Sequence, residues 1–94
     1  MNRGAAFVVG GTGGLGREIC HRLASEWEGV SVGYRSAPGK AHAVIEAMGD
    51  TKKQAIAVSC DLSDRTSIES GIRATVERFG AIGTMIFAGG VAIE

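Results

Sequence analysis

Ala5-Ala6-Phe7-Val8-Val9-Gly10-Gly11-Thr12-Gly13-Gly14-Leu15-Gly16 decides how this chain folds. Five apolar residues lead into a stretch with glycine at positions 10, 11, 13, 14 and 16, and from Leu15 onward the apolar positions recur at helical spacing. A run that is apolar throughout suits a parallel strand covered on both faces. Glycine clustered directly after it marks a turn tight enough to need backbone angles that a Cβ penalises. The stretch therefore predicts a strand, Ala5 to Val9, that turns sharply into a helix.

The same glycines suit a ligand. The free N–H groups of a helix N-terminus attract an anion, and a diphosphate can reach them only where side chains do not stand in the way. Gly11-x-Gly13-x-x-Gly16 has the spacing of a dinucleotide fingerprint, a weak signal by itself in a chain with 15 glycines. Its context strengthens it: a strand before, a helix after, and a second strand ending about 20 residues further on, as a βαβ unit requires. The competing reading is a glycine loop that only packs a helix against a strand. The expected ligand is a dinucleotide.

Working outward, Leu15, Ile19, Leu23 and Trp27 recur every four residues, with Cys20 and Ala24 beside them and Arg17, Glu18, Arg22 and Glu26 opposite. This is an amphipathic helix of about three to four turns, stopped by Gly29. Val30 to Tyr34 forms a second strand, and Arg35-Ser36-Ala37-Pro38-Gly39 a turn. A short helix from about Lys40 to Met48 buries Ala41, Val44, Ile45 and Met48, and Gly49-Asp50 ends it. Ala55 to Cys60 is the third strand. In the following segment Ser63 can cap a helix, while Thr66-Ser67-Ile68-Glu69 has capping-box spacing; Ser63 leaves the longer helix and is the expected cap. Ile68, Ile72, Val76 and Phe79 form its expected buried stripe, and Gly80 its stop. Thr84 to Ala88 is a fourth apolar strand, running into Gly89-Gly90. Strands alternating with helices in this way imply a parallel sheet with helices on both faces and right-handed crossovers. The expected fold is α/β, a Rossmann-type parallel sheet in the order 3-2-1-4, the N-terminal half of a full doubly wound domain.

Composition narrows the function. Ninety-four residues, 45% of them hydrophobic, give room for one domain with a real core. Ten basic and ten acidic residues cancel, so no basic stripe calls for nucleic acid. No apolar run is long enough to span a bilayer, and Met1-Asn2-Arg3 leads straight into a strand; a cytoplasmic protein is expected. Cys20 and Cys60 lie far apart without metal-ligand spacing, so neither a disulfide framework nor a metal site is expected, and each reads as a small buried residue.

Val9-Gly10-Gly11-Thr12-Gly13-Gly14-Leu15-Gly16 resembles the TGxxxGxG segment of the short-chain dehydrogenases/reductases, with Val9 where that family usually has Thr. The loop fits the TGxxGxxG spacing of the family's extended branch equally well, through Gly10, Gly13 and Gly16. Tyr34-Arg35-Ser36 and Asp61-Leu62-Ser63-Asp64 resemble the ribose-phosphate and adenine contacts of the single-domain branch, which favours that branch. Ala88-Gly89 matches the end of the family's NNAG segment, but Ile86 and Phe87 stand where its two Asn residues would be. The resemblance runs from about Ala5 to Gly90 and covers the cofactor-binding half of the family's domain. It implies cofactor contacts from Gly10, Thr12, Gly13, Gly14, Leu15, Gly16, Tyr34, Arg35, Ser36, Asp61, Leu62, Ala88 and Gly89.

A carboxylate at the end of the second strand would bind the adenosine ribose hydroxyls and repel a 2′-phosphate. Here Tyr34 stands there, Arg35 beside it offers a planar fork of donors, and Ser36 a hydroxyl, so NADP(H) is expected over NAD(H). The competing reading makes Tyr34 and Arg35 ordinary strand-end residues. Asp61 could accept from the adenine amino group, favour the following helix N-terminus by its charge, or do both. Other sites fail on inspection. Gly33 to Lys40 has the outline of a P-loop, but five residues separate Gly33 from Gly39 and Ala41 replaces the magnesium-binding hydroxyl. His21 and His42 have no partner nucleophile or ligand nearby in sequence and read as surface residues.

The catalytic group is missing from these residues. The family resemblance implies hydride transfer assisted by a Tyr with a Lys four positions on and by a Ser. The only tyrosine is Tyr34 and position 38 is Pro, so no catalytic residue is assigned. Two classes stay open: the NADP(H)-binding portion of an oxidoreductase acting on a carbonyl or alcohol, incomplete at its C-terminus and inactive alone, or a non-catalytic nucleotide-binding or partner-docking module. A reading frame that continues into Tyr-x-x-x-Lys would separate them. In the order 3-2-1-4 the fourth strand becomes an apolar, uncharged edge, which predicts self-association or dependence on the missing half.

Overall fold

The computed structural model describes residues 4–10, 12–48 and 54–88. Seven elements follow in the order β1 (Ala5–Val9), α1 (Gly14–Leu23), β2 (Gly29–Tyr34), α2 (Pro38–Glu46), β3 (Ala55–Ser59), α3 (Arg65–Phe79) and β4 (Ile82–Phe87). All the strand pairs are parallel and the sheet runs β3-β2-β1-β4, as expected from the alternation of elements.

The period-two pleat of β1 divides the core. Val8 faces α1 and α2, where it packs with Cys20, Ala24, Val30, Val32, Ala41, Val44 and Met48. Phe7 and Val9 face the other way, toward α3, with Val58 and Cys60 and the half-buried Ile68 and Ile72. Every residue of β1 is buried, whereas none of β4 is. β4 has only β1 beside it among the described residues, and Phe87 is 57% exposed.

The helices depart from the sequence reading in ways that have physical causes. α1 stops at Leu23, short of Trp27, because Ser25 turns its hydroxyl back onto the Arg22 carbonyl and the chain leaves through turns. Leu15, expected in the buried stripe, is 69% exposed; the first turn of α1 overhangs the end of β1, and Gly16 is the residue that turns inward. α2 begins at Pro38, two residues earlier than expected, where the fixed φ of proline suits a first helical position. On α3 the stripe is Ile68, Gly71, Ile72, Thr75 and Phe79, and Val76 is 40% exposed. Steps of four residues drift by about 40° each around a helix of 3.6 residues per turn, which rotates Val76 off the face.

Two small residues hold α3 close. A Cβ at Gly71 would lie 2.9 Å from Phe7 Cζ. The Thr75 hydroxyl donates to the Gly71 carbonyl at 2.7 Å and shares a buried 2.7 Å hydrogen bond with Ser31 on β2. A buried hydroxyl pair without these partners would cost stability; satisfied, it fixes the docking of helix on strand. β4 starts at Ile82, not Thr84, because its pairing with β1 steps from Ile82 to Thr84 and leaves Gly83 as a bulge. β3 ends one residue early, although the Cys60 N–H still donates to the Tyr34 carbonyl. The expected helix stop at Gly49-Asp50 lies outside the described residues.

Candidate functional site

The pairing register brings Val9, Tyr34, Ser59 and Phe87 to one end of the sheet, so the segments after β1, β2 and β3 gather there, with Ala88 after β4. Such an end, where chain segments leave neighbouring strands in opposite directions, is where open α/β sheets bind ligands.

Gly10 leaves β1 with a φ of 82°, a conformation that L side chains rarely adopt. The chain then passes Thr12, half-buried, and enters α1 at Gly13, whose Arg17 N–H···O=C bond of 2.8 Å closes the first turn. Among the described residues no side chain caps α1, and no acidic residue lies in its first turn. Gly13 and Gly14 are exposed, and a Cβ on either would meet nothing within 4 Å. The loop thus offers an electropositive helix end with open space in front of it. Leu15 stands beside it, exposed, and Gly16 is buried beneath. Gly11 lies outside the described residues.

The end of β2 supplies the second wall. Tyr34 is half-buried and packs against the α1–α2 side of the core, while Arg35 and Ser36 are exposed. Arg35 Nε lies 3.9 Å from Asp61 Oδ2, across the gap between the ends of β2 and β3. Asp61 Oδ1 accepts from the Ser63 N–H at 2.9 Å and the Ser63 hydroxyl at 2.7 Å. Those two hydrogen bonds, with a smaller contribution from Arg35, hold the Asp61 carboxyl below the usual carboxylate range. Leu62 is 44% exposed beside it.

Ser63 does not cap α3. Drawn into the turn by Asp61, it leaves the cap to Asp64, whose carboxylate accepts from the Thr66 and Ser67 N–H groups. Ser67 in turn accepts from the Asp61 N–H at 2.7 Å and fixes the loop. Ala88 extends the ladder, its N–H donating to Val9 at 2.8 Å, and packs on the core; Gly89 lies outside the described residues.

Burial pushes the Cys20 thiol up to about 12, and burial followed by the Asp61 charge raises Cys60. Neither is a thiolate near neutral pH, so neither serves as a nucleophile. Two cations carry no firm role in the sequence reading: Arg17 could reach a phosphate from the helix start but reads equally as a commonplace exposed first-turn residue, and Lys40 is given none. Arg17, on the first turn of α1, and Lys40, on the first turn of α2, line an open hollow with Thr12, Ala43, Val44 and Ala47. The signal that could have found them is shared position, since each stands within the first turn of a helix that starts at the same end of the sheet.

Residues 4–94 match the family described as short chain dehydrogenase. The 3-oxoacyl-[acyl-carrier-protein] reductase FabG of Staphylococcus aureus is 29% identical over 87 residues, which are 93% of this chain and 35% of that protein. A dehydrogenase/reductase from Sinorhizobium meliloti superposes with a TM-score of 0.85 at 34% identity, over 97% of this chain and 36% of that one. An actinorhodin polyketide ketoreductase solved with NADPH gives 0.79 at 28% identity, over 89% and 32%. The chain spans about a third of the length of the relatives it matches. It belongs to the short-chain dehydrogenase family.

Proposed function

We propose that this chain is the NADP(H)-binding portion of an oxidoreductase that passes hydride between a nicotinamide and a carbonyl or alcohol. The observation that carries the reading is the uncapped N-terminus of α1, with open space at Gly13 and Gly14, set beside a strand end that bears Tyr34-Arg35-Ser36 and no carboxylate. The diphosphate sits on the free N–H groups of the loop, with Gly10, Thr12, Gly16 and Leu15 shaping the approach. Arg35 and Ser36 meet the 2′-phosphate, and Arg35 leaves Asp61 to do so; the pair is exposed, so breaking it costs little. Asp61 and Leu62 border the adenine, and Ala88 and Gly89 the far side of the cofactor.

When bound, the nicotinamide supplies or accepts the hydride. The proton on the substrate oxygen needs a general acid, and the only tyrosine, Tyr34, has Pro38 four positions on rather than Lys. These residues alone therefore bind cofactor without reducing a carbonyl. The edge of β4, which has no strand beside it but β1 among the described residues, is where they join the remainder of a full-length domain or a second copy. Likeness to a relative named for reducing 3-oxoacyl chains and to one holding NADPH supports the carbonyl class and the phosphorylated cofactor.

Titration of the wild type and Arg35→Ala with NADPH and NADH tests this. The wild type binds NADPH more tightly, and the substitution lowers that preference by about 10-fold or more, the effect of one charge-assisted contact. Equal wild-type affinities, or a preference that survives the substitution, contradict it.

A further inference from the structure

The ends of β2 and β3 are tied together twice, once through their backbones and once through their side chains. The Cys60 N–H donates to the Tyr34 carbonyl at 2.7 Å, so Arg35 and Asp61, each one residue further along, start from a common anchor. Asp61 is the fixed partner. Its N–H is held by the Ser67 hydroxyl at 2.7 Å, and its Oδ1 takes both the N–H and the hydroxyl of Ser63. Those bonds leave Oδ2 for another donor, and Arg35 Nε stands 3.9 Å from it. Arg35 is the partner that can turn away, because its side chain is 80% exposed. The Ser63 bonds, more than Arg35, hold the Asp61 carboxyl below the usual carboxylate range, so Asp61 stays an anion at neutral pH after Arg35 has left.

Arg35 therefore has two possible partners, and so has Oδ2. A 2′-phosphate beside the end of β2 offers the guanidinium a dianion with oxygens for both arms of its fork, a stronger partner than one carboxylate oxygen at 3.9 Å. Once Arg35 turns to the phosphate, Oδ2 has lost its donor, and the amino group of an adenine bordered by Asp61 replaces it. A dinucleotide without the phosphate leaves Arg35 where it is. Its adenine has to displace the guanidinium from Oδ2 or do without the carboxylate.

We propose that Asp61 is an internal rival of the 2′-phosphate for Arg35, and that the phosphate, by drawing Arg35 away, frees the Asp61 carboxylate to read the base. This rests on the cofactor reading above and adds a coupling between two contacts which that reading treats as separate. Discrimination against the unphosphorylated cofactor then has two sources: the phosphate contact it lacks and the base contact it obtains only by breaking the ion pair. The coupling is small, since an exposed pair changes an affinity by about 5-fold at most.

Titration of NADH, NADPH and their deamino forms, in which a carbonyl oxygen replaces the adenine amino group, into the wild-type chain, Arg35→Ala and Arg35→Lys tests it, with circular dichroism to check that each variant is folded. Comparing each cofactor with its own deamino form cancels the long-range effect of removing a charge. Arg35→Ala is expected to raise the preference for the amino over the deamino form about 2- to 5-fold with NADH and to leave it within about 1.5-fold with NADPH. Arg35→Lys, which keeps the cation, should leave both preferences near those of the wild type. If Arg35→Ala leaves the preference with NADH unchanged, the proposal is overturned, and loss of the NADPH preference in the same variant shows that the cofactor reading still stands. Absence of any amino-over-deamino preference with either cofactor also overturns it, because Asp61 then does not meet the base. If the wild type binds NADPH and NADH equally, the cofactor reading fails and the proposal falls with it.

Discussion

α1 and α3 begin at the same end of the same sheet, each following a parallel strand, and their first turns are built in opposite ways. At α3 the chain satisfies its own backbone: Asp64 takes the Thr66 and Ser67 N–H groups, Ser67 takes that of Asp61, and Asp61 takes that of Ser63. At α1 the cap is Gly13, which has no side chain to answer the free N–H groups, and the first turn carries no acidic residue to balance the helix dipole. Residues 61–64 close one helix end with the protein's own carboxylates, while Gly13 and Gly14 leave the other open among the described residues. The glycines differ in the same sense. A Cβ at Gly14 would enter open space, whereas one at Gly71 of α3 would press on the ring of Phe7. The end of the first helix leaves the room that the proposed ligand needs, and the third helix is closed by packing and by its own carboxylates.

Substituting the two glycines separates these roles. Gly71→Val would place its Cβ 2.9 Å from Phe7 Cζ and 3.3 Å from Cε2, against a ring that is fully buried. Overpacking of this kind is expected to cost about 1–3 kcal/mol in chemical denaturation, with the nucleotide affinity of the folded fraction unchanged. Gly14→Val is expected to do the reverse. It should melt within a few degrees of the wild type but bind NADPH at least about 10-fold more weakly, since the side chain blocks charge-assisted contacts to the loop. A Gly14 variant that binds normally and melts low would exchange the roles assigned to the two glycines.

Asp64→Ala should have a smaller effect. Removing the cap is expected to cost about 1 kcal/mol and to leave nucleotide affinity unchanged, and Asp64→Ser should recover most of the loss. If Asp64→Ala weakened nucleotide binding as much as Gly14→Val, the third helix would not be the closed end described here.

The elements were legible because their signals are local. β1 is apolar at every position, and the glycines that follow it could belong only to a sharp turn, so the order of strands and helices and the position of the loop could be read from spacing. What escaped the reading depends on contacts between distant residues. The face of α3 is set by Gly71 and Thr75, one chosen for the space that Phe7 occupies and the other for a hydrogen bond to Ser31, and neither looks apolar in sequence. Gly83 hid the start of β4 because a bulge is defined by the partner strand. The cap of α3 moved from Ser63 to Asp64 because Asp61 competes for Ser63, and a local capping rule does not weigh two acceptors. In the candidate site the loop and Arg35 were legible, while Arg17 and Lys40 became a pair only once α1 and α2 were side by side.

The difference between the two helix ends is read most directly from backbone amides. In ¹⁵N-resolved NMR of the uniformly labelled chain titrated with NADPH, the Gly13, Gly14 and Leu15 N–H resonances are predicted to move downfield and saturate with one affinity, while those of Thr66 and Ser67, already bonded to Asp64, stay in place. Shifts centred on Thr66 and Ser67 with Gly13 and Gly14 unmoved would contradict the assignment of the first helix as the open, ligand-binding end.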